Sequence, residues 1–252
     1  MILVLAGTAD ASQVIGVLKS EGYRVAASVV TEYGARLARQ AGADLVRTGP
    51  LGQEELANYL KRHGIVAVID ATHPFAVNIT ENAREACRAL GLPYFRYRRP
   101  EVRLPSYPNL LPASSFEEAA VLAARGQVIF LTIGTRHLEC FTDAPALKGK
   151  RLVVRVLPEE DSLARCRRLG IWPRDIVAIQ GPLSYELNRA LYRQYQADVV
   201  VTKESGSTGG VEEKVRAALD LGLTVVVVRR PSESGGLPLE EIIPMLGEAL
   251  GR

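Results

Sequence analysis

"IVAVIDATHPFAVNITENA", Ile65 to Ala83, decides the fold class of this chain. The apolar run Ile65–Ile69 ends in Asp-Ala-Thr-His-Pro-Phe, and a helical pattern follows. A short continuous apolar run reads as a strand buried on both faces, as in parallel sheets. Pro74 suits the first turn of a helix, and Thr72 or Asp70 could serve the backbone there. A buried strand running straight into a helix is half of a β-α-β unit. His73, one of three histidines, sits on its turn.

The rhythm extends both ways. Upstream, "ILVLA" leads to a helix from about Ala9 to Glu21, then "YRVAASVV", a helix near Gly34 to Gln40, "ADLVRTG" and a helix from Gln53 to His63. Downstream come a helix near Ala76 to Leu90 and "LPYFRY". "RRPEVRLPSYPNLLPASS" then breaks the pattern with four prolines and reads as a linker or crossover. Beyond it "QVIFLTIG", "RLVVRVL", "DIVAIQG", "ADVVVTK" and "LTVVVVRRP" resume the alternation. The expectation is an α/β protein of two Rossmann-like lobes with parallel sheets and a cleft between them. Residues 1–98 make the first lobe, 99–114 the crossover and 115–252 the second.

An internal echo supports the division. "ENAREACRALGLPYFRYRRP" (Glu81–Pro100) aligns without gaps to "EEKVRAALDLGLTVVVVRRP" (Glu212–Pro231), with eight of twenty positions identical. The same offset sets "AVIDATHPF" opposite "DVVVTKESG". Equivalent strand-loop-helix units would present His73 and Lys203 from corresponding loops, at the carboxyl ends of strands where open α/β sheets bind ligands.

Composition narrows the partners. At 252 residues, 47% hydrophobic and 23% charged, the chain is an ordinary globular protein with ample core. A net charge of +3 is too small for a nucleic-acid surface, and no apolar stretch approaches the roughly 18 residues of a membrane span. "MILVLAGTAD" has no basic leader and reads as a first strand. Cys87, Cys140 and Cys166 lack ligand spacing and cannot all pair, so reduced thiols and a cytoplasmic location are expected. Of 31 basic residues 25 are arginine, which fits either a genome bias or recognition of carboxylates and phosphates. Weak self-association stays open.

Four stretches carry candidate chemistry. "LVLAGTADA" puts Gly7, Thr8 and Ala9 between the first strand and helix, where a small turn lets a phosphate reach backbone N–H groups. It is not G-x-G-x-x-G, so an ordinary tight turn competes with that reading. "SVVTEYGARLARQ" ends the second strand with Thr31, Glu32, Tyr33, Gly34 and Arg36. Here dinucleotide-binding sheets read the ribose: Glu32 favours a 2′-hydroxyl, Arg36 a 2′-phosphate, and Tyr33 can stack on adenine. In "DATHPF", Thr72, His73 and Pro74 lie where a nicotinamide would rest. No metal site is expected, because His63 and His137 have no ligand spacing with His73. "VVVTKESGSTGG" sets Lys203, one of six lysines, before Ser205 and Gly206, a combination that suits an anion. "IQGPLSYELN" repeats the device with Ser184, which an N-cap role would also explain.

Taken together, "LAGTADA", "DATHPFA", "ENAREACRALGLPYFRYRRP", "GPLSYELN", "VTKESGSTGG" and "VVVVRRP" resemble the precorrin-6A reductases, including the cobalt-precorrin-6A reductases of cobalamin synthesis. The resemblance spans almost the whole chain. The family usually has two glycines before the threonine of the first turn, where this chain has Ala6-Gly7. The resemblance implies NADH or NADPH in the cleft, bound by the first lobe, and hydride transfer to one double bond of a corrin-precursor macrocycle rich in carboxylates. It makes 115–252 the substrate side. It implies His73 and Lys203 as candidate catalytic residues, "HPF" beside the nicotinamide, and Phe75, Asn78, Ser184, Lys203, Ser205 and Gly206 toward the substrate. Glu32 tilts the nucleotide choice toward NADH.

Two rivals remain. Another nicotinamide-dependent reductase of the short-chain type needs Tyr-x-x-x-Lys, and none of the nine tyrosines has lysine four residues on. A non-catalytic two-lobed protein closing on a small anion would bind without hydride transfer.

Overall fold

Strands and cores follow from where the apolar residues fall. A computed structural model of the chain describes residues 1–7, 9–73, 75–98, 106–204, 209–230 and 236–251. Strand β1 (Ile2–Leu5) is four buried apolar residues in a row, and successive side chains serve opposite faces. Ile2 and Val4 join one core, Leu3 and Leu5 another.

The first core is covered by helices α1 (Ala9–Ser20), through Val14, Ile15 and Leu18, and α2 (Glu32–Gln40), through Ala35 and Ala38. The second lies under α3 (Gln53–Arg62), through Leu56 and Leu60, and α4 (Val77–Leu90), through Ala83, Ala86 and Cys87. Strands β2 (Val25–Val29), β3 (Leu45–Thr48), β4 (Ala67–Asp70) and β5 (Tyr94–Arg96) complete a parallel sheet ordered β3-β2-β1-β4-β5. Each helix and strand expected here forms within about two residues of its expected bounds.

The second sheet is also parallel, ordered β6-β11-β10-β7-β8-β9. Its strands are β6 (Leu110–Ala113), β7 (Val128–Leu131), β8 (Arg151–Val156), β9 (Ile176–Ala178), β10 (Val199–Lys203) and β11 (Thr224–Val228). Helices α5 (Phe116–Ala123), α6 (Glu139–Thr142), α7 (Glu160–Arg168), α8 (Tyr185–Gln194) and α9 (Val211–Leu219) alternate with them. Phe130, Val153, Val200, Val225 and Val227 pack with Tyr192 of α8 and with Val211, Val215 and Ala218 of α9 on one face. Helix α5 packs on β6, β10 and β11.

Two boundaries differ from the sequence expectation. Part of the expected crossover, residues 110–113, is strand β6, which pairs with β11 and sets Pro112 opposite Val227. Proline lacks the N–H of a ladder donor but fits an edge strand, and β6 is an edge. The C-terminal stretch assigned to the second lobe belongs instead to the first unit. Contacts divide the chain into Met1–Pro100 with Ser232–Arg252, and Glu101–Pro231. Leu237 donates to the Arg96 carbonyl and accepts from Arg98 N–H, and α10 (Leu239–Ala249) inserts Leu239, Ile242 and Leu246 into the first core. The apolar stripe of α10 finds its partner far back in sequence, and no local pattern declares which lobe that is.

Candidate functional site

In the first sheet the chain runs outward from β1 through β2 to β3, then returns to the other side of β1 as β4. The carboxyl ends of β1 and β4 therefore flank a switch point, the place where open α/β sheets take ligands. Gly7 follows β1 with φ +142°, and nothing lies within 4 Å of where its Cβ would stand. L side chains rarely adopt that φ, and bare backbone facing open space at the start of α1 fits an approaching phosphate. Ala9 opens α1. Thr8 lies outside the described residues.

Beside it, β2 ends and α2 begins. Thr31 accepts a hydrogen bond from Gly34 N–H at 3.1 Å, so its hydroxyl caps the helix. A Cβ on Gly34 would come within 3.2 Å of Val29 Cβ, so glycine lets helix and strand approach closely. Glu32, Tyr33 and Arg36 project from the first turns of α2 and are exposed. Acid, ring and base are thus all open to a ligand at the end of β2.

The loop after β4 is built on Asp70. Its buried carboxylate accepts from Thr72 N–H at 3.0 Å, Thr72 Oγ1 at 2.6 Å, Thr80 Oγ1 at 2.7 Å, Tyr94 Oη at 2.8 Å and Arg96 Nη1 at 2.7 Å. Arg96 Nη1 also donates to Thr72 Oγ1 at 2.9 Å. Burial, then Asp70 beside it, pushes the Tyr94 phenol above its usual range. Thr72 is therefore tied to Asp70 and Arg96, and neither it nor Asp70 caps α4. The cap is Ala76, with no side-chain bond to the helix.

His73 emerges from this frame. Its Nδ1 accepts from Phe75 N–H at 3.3 Å, and the two rings lie 5.6 Å apart, tilted by 36°. That bond fixes Nδ1 as the acceptor and leaves Nε2 to carry the proton of the neutral ring. Asn78 is exposed on the first turn of α4. Pro74 lies outside the described residues. Gly7, His73 and Phe75 thus stand on loops at the carboxyl end of this sheet, and Asn78 on the helix turn that follows.

In the second sheet the switch point lies between β7 and β10. Lys203 closes β10, half-buried. Burial, and then Arg136, lowers its ammonium to about 8. His137, after β7, stacks on Phe116 at 4.0 Å, and burial followed by Lys203 lowers its imidazole. Ser184 caps α8, accepting from Leu187 N–H at 3.3 Å, which is the N-cap role named as its alternative. Ser205 and Gly206 lie outside the described residues.

The sequence reading missed Arg96, Tyr94 and Thr80, which reach Asp70 from 10 to 26 positions away. It also missed Lys214, only 5% exposed. One signal was available: Lys214 falls on the stripe Val211, Lys214, Val215, Ala218, the spacing of a buried helix face.

The chain resembles known proteins along almost its whole length. The profile of the family described as precorrin-6x reductase CbiJ/CobK matches residues 1–247. A cobalt-precorrin-6A reductase of Priestia megaterium is 41% identical over 251 residues, covering 98% of each chain. A precorrin-6A reductase of Mycobacterium tuberculosis is 37% identical over 196 residues, 76% of this chain and 75% of that one. Among solved structures, CobK precorrin-6A reductase superposes with a TM-score of 0.76 at 28% identity, covering 98% of this chain and 96% of that chain.

Proposed function

The chain belongs to the precorrin-6x reductase family, and from that premise we propose that it reduces one carbon–carbon double bond of the precorrin-6A macrocycle with a nicotinamide dinucleotide. The observation that carries the assignment to this chain's own residues is Gly7, bare backbone at φ +142° beside the β1/β4 switch point. When bound, the reduced dinucleotide supplies the hydride, and a proton completes the second carbon of the former double bond.

The chain's residues supply position and field. Gly7 and the N-terminus of α1 take the pyrophosphate, while Glu32, Tyr33 and Arg36 read the adenosine end. The Asp70–Arg96 pair holds the β4 loop so that His73 and Phe75 meet the nicotinamide side at a fixed height. Lys203 steadies a substrate carboxylate or charge developing on the macrocycle. What supports this last role is its half-buried amine, since a partly desolvated charge acts more strongly than one in water.

The cobalt-containing macrocycle is the form we assign, because a relative covering 98% of both chains carries that name. The three cysteines have no disulfides, in keeping with a reducing compartment and our cytoplasmic assignment. Among the described residues no helix is long and apolar enough to cross a membrane.

The test is anaerobic incubation with metal-free and with cobalt-containing precorrin-6A, following nicotinamide oxidation. Turnover of the cobalt form at the higher kcat/KM is expected. No oxidation with either macrocycle overturns the reading. Gly7→Val should weaken dinucleotide binding, since a β-branched side chain suits neither that φ nor a phosphate contact.

A further inference from the structure

Unit 2 contains a second group of cations, behind the sheet rim and unused by the chemistry above. Alternation along β8 and β10 sends Arg155 and Thr202 to the face shared by Val153 and Val200, the face covered by α8 and α9. Tyr192 enters that layer from α8 and Lys214 from α9. Lys214 feels the charges of Arg155, Lys203 and Glu213. The Gly181–Pro182 turn walls one side. A Cβ on Gly181 would stand 3.5 Å from Arg155 Nη2, and one on Gly210, at φ +61°, would stand 2.9 Å from Pro182 Cβ.

The polar atoms here are left over. Arg155 Nη1, Tyr192 Oη and Thr202 Oγ1 are buried without a hydrogen-bond partner among the described residues, as is one carboxylate oxygen beside them, Glu213 Oε2. Tyr192 and Thr202 are at most 1% exposed. Lys214, 5% exposed, forms no ion pair among the described residues. Glu213 is the one acid whose charge draws Lys214 upward, against Arg155 and Lys203 pushing it down. A buried donor without an acceptor is costly, so each of these groups calls for a partner, and the three donors outnumber the one unpartnered oxygen of Glu213. All four groups can donate, and an ionised carboxylate is an acceptor with room for four hydrogen bonds.

We propose that Arg155, Tyr192, Thr202 and Lys214 form a receiving site for one carboxylate of the macrocycle, an inference that rests on the reductase reading. Arg155 is half-buried, whereas Thr202, Tyr192 and Lys214 are buried. Burial holds the Lys214 ammonium down at about 7, and an arriving carboxylate restores its charge. The site lies on the opposite face of β10 from Lys203, so the sheet rim grips the substrate from two sides.

The experiment compares the native protein with Lys214→Met and Arg155→Gln. Under anaerobic turnover each variant should raise the KM for the macrocycle about tenfold to a hundredfold, the loss of one charge-assisted hydrogen bond. The KM for the nicotinamide dinucleotide should hold within about twofold, the small change left when that contact is intact. In thermal melts without substrate, Lys214→Met should melt above the native protein, and millimolar citrate should stabilise the native protein but not the variant. A macrocycle KM unchanged in both variants overturns the proposal, as does equal stabilisation of native and variant by citrate. A native protein that oxidises no nicotinamide defeats the reductase reading instead, and the citrate arm still decides whether the site takes a carboxylate.

Discussion

The units β4-α4-β5 and β10-α9-β11 occupy matching places in their sheets, yet they treat charge in opposite ways. In each, the first strand is interior, the second lies at its flank, and the strand on the other side, β1 or β7, borders the switch point, although β5 is a sheet edge and β11 is covered by β6. The first unit neutralises itself: five donors converge on Asp70, and the arginine that could have faced a ligand is buried against it. The second gathers Lys203 and Lys214 under conditions that weaken both. One topological slot thus yields a rigid platform in one sheet and a charged receiver in the other. The difference lies in whether the partners of the polar groups come from the chain or from the ligand.

Removing Asp70 should break the platform most severely. Asp70→Ala removes the acid of a buried ion pair together with the acceptor of four further hydrogen bonds, at a cost of about 3–5 kcal/mol, readable in chemical denaturation. Arg96→Met should cost less, because Thr72, Thr80 and Tyr94 still satisfy the carboxylate. Equal losses would show that the two partners are not held in the asymmetric way described.

A pH series sharpens the receiver. Lys214 is held near 7 in the folded protein, whereas an unfolded chain gives lysine its ordinary value of 10.5. Between those limits the unfolded state binds the extra proton, so stability rises with pH, by at most about 1.4 kcal/mol per pH unit from this group. The native protein should therefore gain on Lys214→Met as pH climbs from 7 to 10. A constant difference would mean that Lys214 keeps its normal proton affinity.

Lys203 gives a smaller, kinetic effect. Lys203→Ala should lower kcat/KM by about 1.5–3 kcal/mol, roughly ten- to a hundredfold, with dinucleotide affinity unchanged. In the native enzyme kcat/KM should fall as pH rises through about 8, where the amine loses its proton. A flat profile in that range would remove its charge from the reaction.

Nucleotide choice is the mildest test, because Glu32, Tyr33 and Arg36 are all exposed. If Glu32 reads the ribose it should favour NADH, repelling a 2′-phosphate by about 1–2 kcal/mol. If the native enzyme prefers NADPH by tenfold or more and Arg36→Ala erases the preference, Arg36 governs the site.

Much of this architecture was written in local pattern. Ten strands announce themselves as apolar runs, and the echo between Glu81–Pro100 and Glu212–Pro231 corresponds to the two matching units. Strand β6 stayed hidden because "LLPA" carries a proline that only an edge position tolerates. The turn glycine and His73 could be named from order along the chain. Arg96 could not be paired with Asp70, since nothing nearby in sequence says which acid a strand arginine will meet. Lys214 looked like any helix lysine until its neighbours proved to be core.

The return of α10 to the first unit makes residues 101–231 an insertion within it. During synthesis the ribosome therefore delivers the whole of that insertion before Leu239, Ile242 and Leu246 emerge to close the first core. Domains ordinarily mature in the order they are made. Here the nascent chain should complete its later-made domain first, while its earlier one waits with an apolar flank of β1 and α1 uncovered, a stage at which chaperone capture has most to hold.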